Sequence, residues 1–136
     1  MDISKYFAGE VIPENEGLWI MLLDKPVSSG ISVAEQINFF YQHGVLAGCN
    51  LVMAKMYGFN SKHDMVGLQL ADMLPATPSN LEFLETFIRN NYQVSEAESK
   101  EIDKDGKPVY FLNSMEAIRE NGIVVGAKGR QKILIK

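Results

Sequence analysis

The side chains best suited to chemistry are few and scattered. Cys49 is the only cysteine, and the two histidines, His43 and His63, lie twenty positions apart, so neither a C-x-x-C nor an H-E-x-x-H spacing exists. A single thiol cannot close an internal disulfide, which points to a reducing, cytoplasmic setting. A reactive thiolate needs a nearby cation or a helix N-terminus; Cys49 stands in an apolar stretch, "CNLVMAKMYGF", and reads as a buried, inert thiol. In "EIDKDGK", Glu101, Asp103, Asp105 and Gly106 fill positions 1, 3, 5 and 6 of a calcium loop, but position 12 is Leu112 where a bidentate glutamate is required. The stretch is therefore read as a solvated hairpin. Glu82 and Glu85 fall on the outer face of an amphipathic helix. With no G-x-S-x-G, no Gly-rich phosphate loop and no histidine beside a nucleophile, the sequence argues against catalysis.

The 136 residues, 46% apolar and 22% charged, suffice for one globular domain with a real core. The longest apolar run, "LWIMLL", is far short of the roughly 20 residues that cross a bilayer. "MDISKYFAGE" lacks the pattern of a signal peptide. No membrane association is expected. A formal charge of −4 with dispersed acids argues against direct nucleic-acid binding, and the basic tail "GRQKILIK" alternates like the solvated side of a strand.

Periodicity and punctuation give the elements. A buried strand starts at Leu18 and ends at "DKPVSSG". Ser32 and Glu35 form a capping box for a helix of about three turns that stops at Gly44. "VLAG" is a short strand; Asn50 caps "LVMAKMYG", Ser61 and Asp64 have cap-like spacing, and "LADMLP" is a last short turn. Ser79 and Glu82 suggest a second capping box, opening the helix "SNLEFLETFIRNNY". Period-two segments follow, "QVSEAESKEI", "KPVYFLNSMEAI" and "IVVGAKGRQKILI", divided by "DKDG" and "ENG". The expected class is α+β, an antiparallel sheet with helices on one side.

The stretch "NLVMAKMYGFNSKHDMVGLQLADMLP" resembles the middle of PAS domains: an Asn-capped helix leading to Y-G-F, a polar helix reaching V-G, and a turn ending at L-P. The "KDGKPVYFLNS" hairpin is similar to the same family's D-G turn and aromatic strand. The resemblance spans about Leu18 to Gln131. It implies a PAS-like five-stranded antiparallel sheet, with the helix from Ser32 to His43 as an insertion between the first two strands, similar to a subgroup of bacterial sensors. The implied division is residues 1–17 as an N-terminal cap or linker, 18–131 as the sensor, and 132–136 as the start of a linker or tail. The light-sensing branch of the family carries its flavin-linked cysteine in a G-R-N-C-R-F-L-Q-type motif on a later helix, which Cys49 does not match. Haem-binding members place an axial histidine on the long helix before the meander, and residues 80–91 contain none. Haem and covalent flavin are thus disfavoured, leaving a small organic ligand.

Alternation in "VYFLNSMEA" sets Val109, Phe111, Asn113, Met115 and Ala117 towards the helices and Tyr110, Leu112, Ser114 and Glu116 away from them. Asn113 is then a polar amide in an apolar interior, needing backbone or ligand partners. Glu96 and Glu98 could also point inward. The expected pocket is lined by Met53, Met56, Phe87, Ile88, Phe111 and Asn113, with Met53 and Met56 supplying a soft wall. Tyr110 and Leu112 leave apolar area on the back of the sheet for "ISKYF" or a second copy to cover. The sequence therefore leads to a sensory, dimerising module of a bacterial signalling protein, with a kinase, cyclase or DNA-binding effector in the same chain. The alternative is a ligand-free PAS-fold interaction module.

Overall fold

A computed structural model describes residues 1–28 and 30–135. After a single 3₁₀ turn, Ser4–Phe7, the elements are β1 (Gly17–Leu23), α1 (Val33–His43), β2 (Gly44–Cys49), α2 (Leu51–Met56), α3 (Lys62–Met65), α4 (Leu70–Met73), α5 (Pro78–Arg89), β3 (Gln93–Ile102), β4 (Pro108–Glu120) and β5 (Ile123–Ile133). The strands form one antiparallel sheet in the order β2-β1-β5-β4-β3. This is the expected α+β architecture, with α1 inserted between the first two strands. The sheet begins one residue before and ends two residues beyond the expected 18–131.

Local chemistry sets most helix ends. Ser32 and Glu35 close their capping box, and the side chains of Asn50 and Ser61 accept from Met53 N–H and Asp64 N–H. The start of α5 differs from expectation. Its cap is Thr77, whose hydroxyl accepts from Asn80 N–H, with Pro78 in the first turn. Proline's fixed φ and missing N–H suit that place, so the Ser79–Glu82 box does not form there. The helix also stops at Arg89 rather than running to Tyr92, because Asn91 and Tyr92 take positive φ (57° and 60°) and turn the chain into β3.

Asn80 is buried and holds α5 to the edge of the sheet. Its amide donates to Pro75 O (3.0 Å) and Lys100 O (2.6 Å), and its oxygen accepts from Lys100 N–H (3.2 Å). It thereby acts like one more residue of strand beside β3 and covers part of that exposed edge.

The N-terminal segment lies on the opposite face of the sheet. Ile20 points there and is 0% exposed, between its neighbours Gly48 and Lys128. A Cβ on Gly48 would fall 2.6 Å from Ile3 Cγ2, while Lys128 donates to Tyr6 O and sits over the Phe7 ring. The "ISKYF" segment is thus a cover, seated over Gly48, Ile20 and Lys128; Tyr110 and Leu112 on β4 are half-buried.

Candidate functional site

The register of the sheet decides which side chains meet beneath the helices. Three rows cross it: Gln131 pairs with Asn113 and Asn113 with Ala97; Trp19 pairs with Gly129 and Gly129 with Met115; Met21 pairs with Ala127 and Ala127 with Ala117. At the end of β3, Ser99 lies opposite Phe111 and Glu101 opposite Val109. Over this floor pack α1, α2, α4 and α5, enclosing a cavity of about 60 Å³.

The cavity has two chemically distinct parts. Trp19, Phe40, Phe83 and Phe87 supply aromatic walls, and four of the seven methionines, Met21, Met53, Met73 and Met115, border the same space. Unbranched thioether side chains let such a wall change shape at small cost. Tyr57, Glu101, Asn113 and Gln131 form the polar end. Tyr57 Oη donates to Glu101 Oε1 and Ser99 Oγ donates to Glu101 Oε2 (2.6 Å). Behind these hydroxyls, Asn113 Nδ2 donates to Ser99 Oγ (2.7 Å) and Gln131 Nε2 to Tyr57 Oη (3.2 Å). Every link runs towards the carboxyl of Glu101.

Glu101 is 7% exposed, and among the described residues no basic side chain borders the cavity with it. Burial raises its pKa, against the opposing pull of hydrogen bonds from Ser99, Tyr57 and Asn113. Burial, followed by the nearby Glu101 carboxyl, also pushes the Tyr57 phenol well above its ordinary range and Tyr41 up to about 12. Burial thus disfavours the ionised forms of these groups, while the hydrogen bonds to Glu101 partly offset that effect.

Trp19 owes its position to Gly129. A Cβ there would sit 2.6 Å from Trp19 Cε2 and 3.0 Å from Met115 Cβ, so only glycine leaves room for the indole against β5. The ring is 8% exposed, and its Nε1–H is buried without a hydrogen-bond acceptor.

Of the residues expected at the pocket, Met53, Phe87, Ile88 and Asn113 border the cavity. Phe111 is fully buried against Tyr57, with ring centroids 5.2 Å apart, and lies behind the polar end rather than on the cavity surface. Met56 is half-buried at the start of β1, its Sδ 3.0 Å from where a Gly17 Cβ would be. Glu96 and Glu98 are exposed, Glu96 pairing with Lys132 at 2.9 Å. The inward carboxyl is Glu101, which the hairpin reading places in solvent. The loop acids behave as that reading expects: Asp103 Oδ1 accepts from the N–H groups of Asp105 and Lys107, which hold its carboxyl below the usual range. Trp19, Tyr57, Ser99 and Gln131 are not among the expected residues.

Covalent flavin and haem do not fit these residues. Cys49 ends β2 opposite Trp19, its thiol pushed up by burial, and neither α3 nor α4 contains a cysteine. His63 is exposed, and His43 pairs with Asp24 (2.6 Å) outside the cavity. The cavity is several-fold smaller than the ~300–1,000 Å³ of a typical cofactor or drug site. Among the described residues no helix is long and apolar enough to cross a membrane.

No protein-family model matches the chain, and no curated protein sequence does. Solved structures do match. A PAS domain from Colwellia psychrerythraea is 18% identical with a TM-score of 0.61, covering 96% of this chain and 92% of that one. The blue-light activated histidine kinase EL346 of Erythrobacter litoralis is 17% identical with a TM-score of 0.61, over 89% of this chain but 33% of the kinase. The PAS domain of the fruit-fly ELK potassium channel is 13% identical with a TM-score of 0.58, covering 98% and 95%. With its strand order, its inserted α1 and its run of short helices over one face of the sheet, this chain has the PAS fold.

Proposed function

We propose that this chain is the sensory module of a signal-transduction protein, binding a small molecule in the cavity and passing a conformational signal through the sheet to an effector. The observation that carries the reading is the polar end of the cavity, where Glu101, Ser99, Asn113 and Gln131 come from three successive strands and are joined by hydrogen bonds. Contents that displace Tyr57 or rotate an amide act directly on β3, β4 and β5. The opposite face of β5 holds the N-terminal segment through Lys128, which gives the signal a route to the chain's terminus. A ligand shifts that equilibrium only by its differential affinity for the two pocket shapes.

Residues 1–17 serve as the cap, 18–131 as the sensor and 132–136 as the start of the connection to an effector, a kinase, cyclase or DNA-binding module in cis; Lys136 lies outside the described residues. The module itself is not an enzyme, and its setting is cytoplasmic. That one structural neighbour is a histidine kinase three times the length of the matched region supports this arrangement. Mass spectrometry of compounds released on denaturing the purified protein should identify a small organic molecule; consistent recovery of none, with no hit in a fragment screen, would refute the reading.

A second reading, a homodimerising module without a ligand, is favoured by the half-buried Tyr110 and Leu112 on the outer face of β4. Size-exclusion chromatography of Leu112→Asp tests it. Pairing through this face predicts a shift to monomer, and unchanged assembly excludes the face.

A further inference from the structure

We infer that the molecule taken up by the cavity is compact and apolar, a small hydrocarbon-like compound or a non-polar gas, held by contact with the aromatic and thioether walls and by no hydrogen bond. The inference deepens the ligand-binding reading above and rests on it. Its basis is that the polar end of the cavity is already closed upon itself. Tyr57 Oη and Ser99 Oγ donate to the two Glu101 oxygens, and Gln131 Nε2 and Asn113 Nδ2 donate to those hydroxyls. Among the described residues, no buried side-chain atom of this cluster lacks a hydrogen-bond partner. A polar ligand would have to break one of these links or give up its own bonds to water without replacement, and either step is unfavourable.

The same residues exclude charge. An anion would find no basic side chain among the described lining residues and would face the carboxyl of Glu101. A cation would have to take the Glu101 oxygens from Tyr57 and Ser99. Water is a poor occupant too, since a buried water needs about two to four polar partners, whereas an apolar space stays dry and accepts an apolar guest.

Size follows from the floor. The inward positions of β5 at the centre of the sheet are Gly129 and Ala127, and Ala127 is followed by Ala117 in its row, so the sheet supplies little bulk there. The cavity, about 60 Å³, is less than half the ~150 Å³ that holds a benzene ring, which limits the guest to a few heavy atoms. Met21, Met53, Met73 and Met115 fit their unbranched side chains around it. A guest that presses on Tyr57 displaces the partners of its hydroxyl, Glu101 and Gln131, so it acts on the sheet by volume rather than through a new hydrogen bond.

The test titrates isobutene, acetone, acetamide and acetate, which share one branched planar shape and differ in polarity and charge. Methionine methyl groups labelled with ¹³C report the place of binding: the signals of Met21, Met53, Met73 and Met115 should move, and those of Met1, Met56 and Met65, which do not border the cavity, should stay. Isobutene is expected to bind at least about tenfold more tightly than acetone, with acetamide and acetate weaker still. Ala127→Leu, which fills the floor, should abolish isobutene binding. Leu84→Ala, which enlarges the same cavity, should admit benzene, which the wild type excludes, and it keeps the test decisive if Ala127→Leu does not fold. Acetone, acetamide or acetate binding as tightly as isobutene overturns the inference and leaves the sensory reading standing. Isobutene shifts confined to Met1, Met56 and Met65, undiminished binding by folded Ala127→Leu, or exclusion of benzene by Leu84→Ala also overturns it. If no probe binds at millimolar concentration, the inference and the sensory reading fall together.

Discussion

Replacing Glu101 with glutamine isolates the effect of a buried carboxyl on folding. In the unfolded chain Glu101 titrates near the ordinary glutamate value of 4.5, and in the fold burial raises it. Between these two values the native state binds more protons than the unfolded state, so stability falls as pH rises. One proton limits the slope to about 1.4 kcal/mol per pH unit. Below 4.5 both states are protonated and the effect is fully favourable to the fold; above the raised value the loss is complete and constant. The substituted glutamine cannot ionise, though its amide must reorganise hydrogen bonds from Tyr57 and Ser99, a contribution that does not depend on pH. The difference in unfolding free energy, Glu101→Gln minus wild type, should therefore climb from about pH 4.5 with a slope of at most about 1.4 kcal/mol per unit, then level off. The pH of levelling reads the folded-state pKa of Glu101. Urea denaturation of both proteins from about pH 4 to about pH 8 measures it, and the exposed carboxyls with lowered pKa, Asp2, Glu96 and Asp103, cancel in the difference. A flat difference would mean that folding leaves Glu101 unperturbed, and one that falls with pH that the fold stabilises its anion; either would refute the argument.

Three further perturbations test the framework around the site. Asn80→Ala removes three hydrogen bonds and leaves the backbone of Lys100 unpaired under α5; a loss of about 2–4 kcal/mol by urea denaturation is expected, and a loss within experimental error would show that water replaces the side chain. Gly129→Ala drives a methyl group into the indole of Trp19, so the expected result is destabilisation by about 1–3 kcal/mol together with a shifted tryptophan emission maximum; an unshifted spectrum would mean that β5 moves instead of the ring. Deleting residues 1–8 uncovers Ile20, with an expected loss of about 1.5–3 kcal/mol, and unchanged thermal unfolding would place the cover elsewhere.

Much of the fold is legible because local chemistry and global position agree. Ser32 with Glu35, Asn50 and Ser61 each cap the helix that their spacing suggests, and the Asp-Gly turn at Gly106 has the positive φ, 80°, that its sequence demands. The start of α5 misleads because two N-cap patterns overlap in "ATPSNLE". Thr77 prevails through Pro78, which fits the first turn and lacks an N–H to leave unpaired. The end of α5 is overrun because Tyr92 is apolar and continues the helical stripe. Its burial instead comes from contacts with Phe87 and Phe40 made from a left-handed backbone, a conformation for which aromatic residues carry no local signal.

The site is half legible, and the missing half follows from one overlooked constraint. Alternation places Asn113 inward correctly, but the acids of β3, judged on their own strand, sit in "SEAESKEI", which is too polar to choose a face. A hairpin does not leave that choice open. The turn at 103–106 pairs Ile102 with Pro108, and every later pair is then fixed until the irregularity between Val94 and Ala97. If Val109 and Phe111 face the core, their partners Glu101 and Ser99 must face it too, so the buried carboxyl is implied by the same alternation that identifies Asn113. Composition pulls the other way, because glutamate is seldom buried without a charged partner. That rule fails here because hydroxyls and amides replace the missing cation, in a cavity where burial holds the carboxyl towards its neutral form. Trp19 is different in kind: its place depends on the absence of a Cβ at Gly129, far away in sequence and adjacent in space, and no property of residue 19 alone could reveal it.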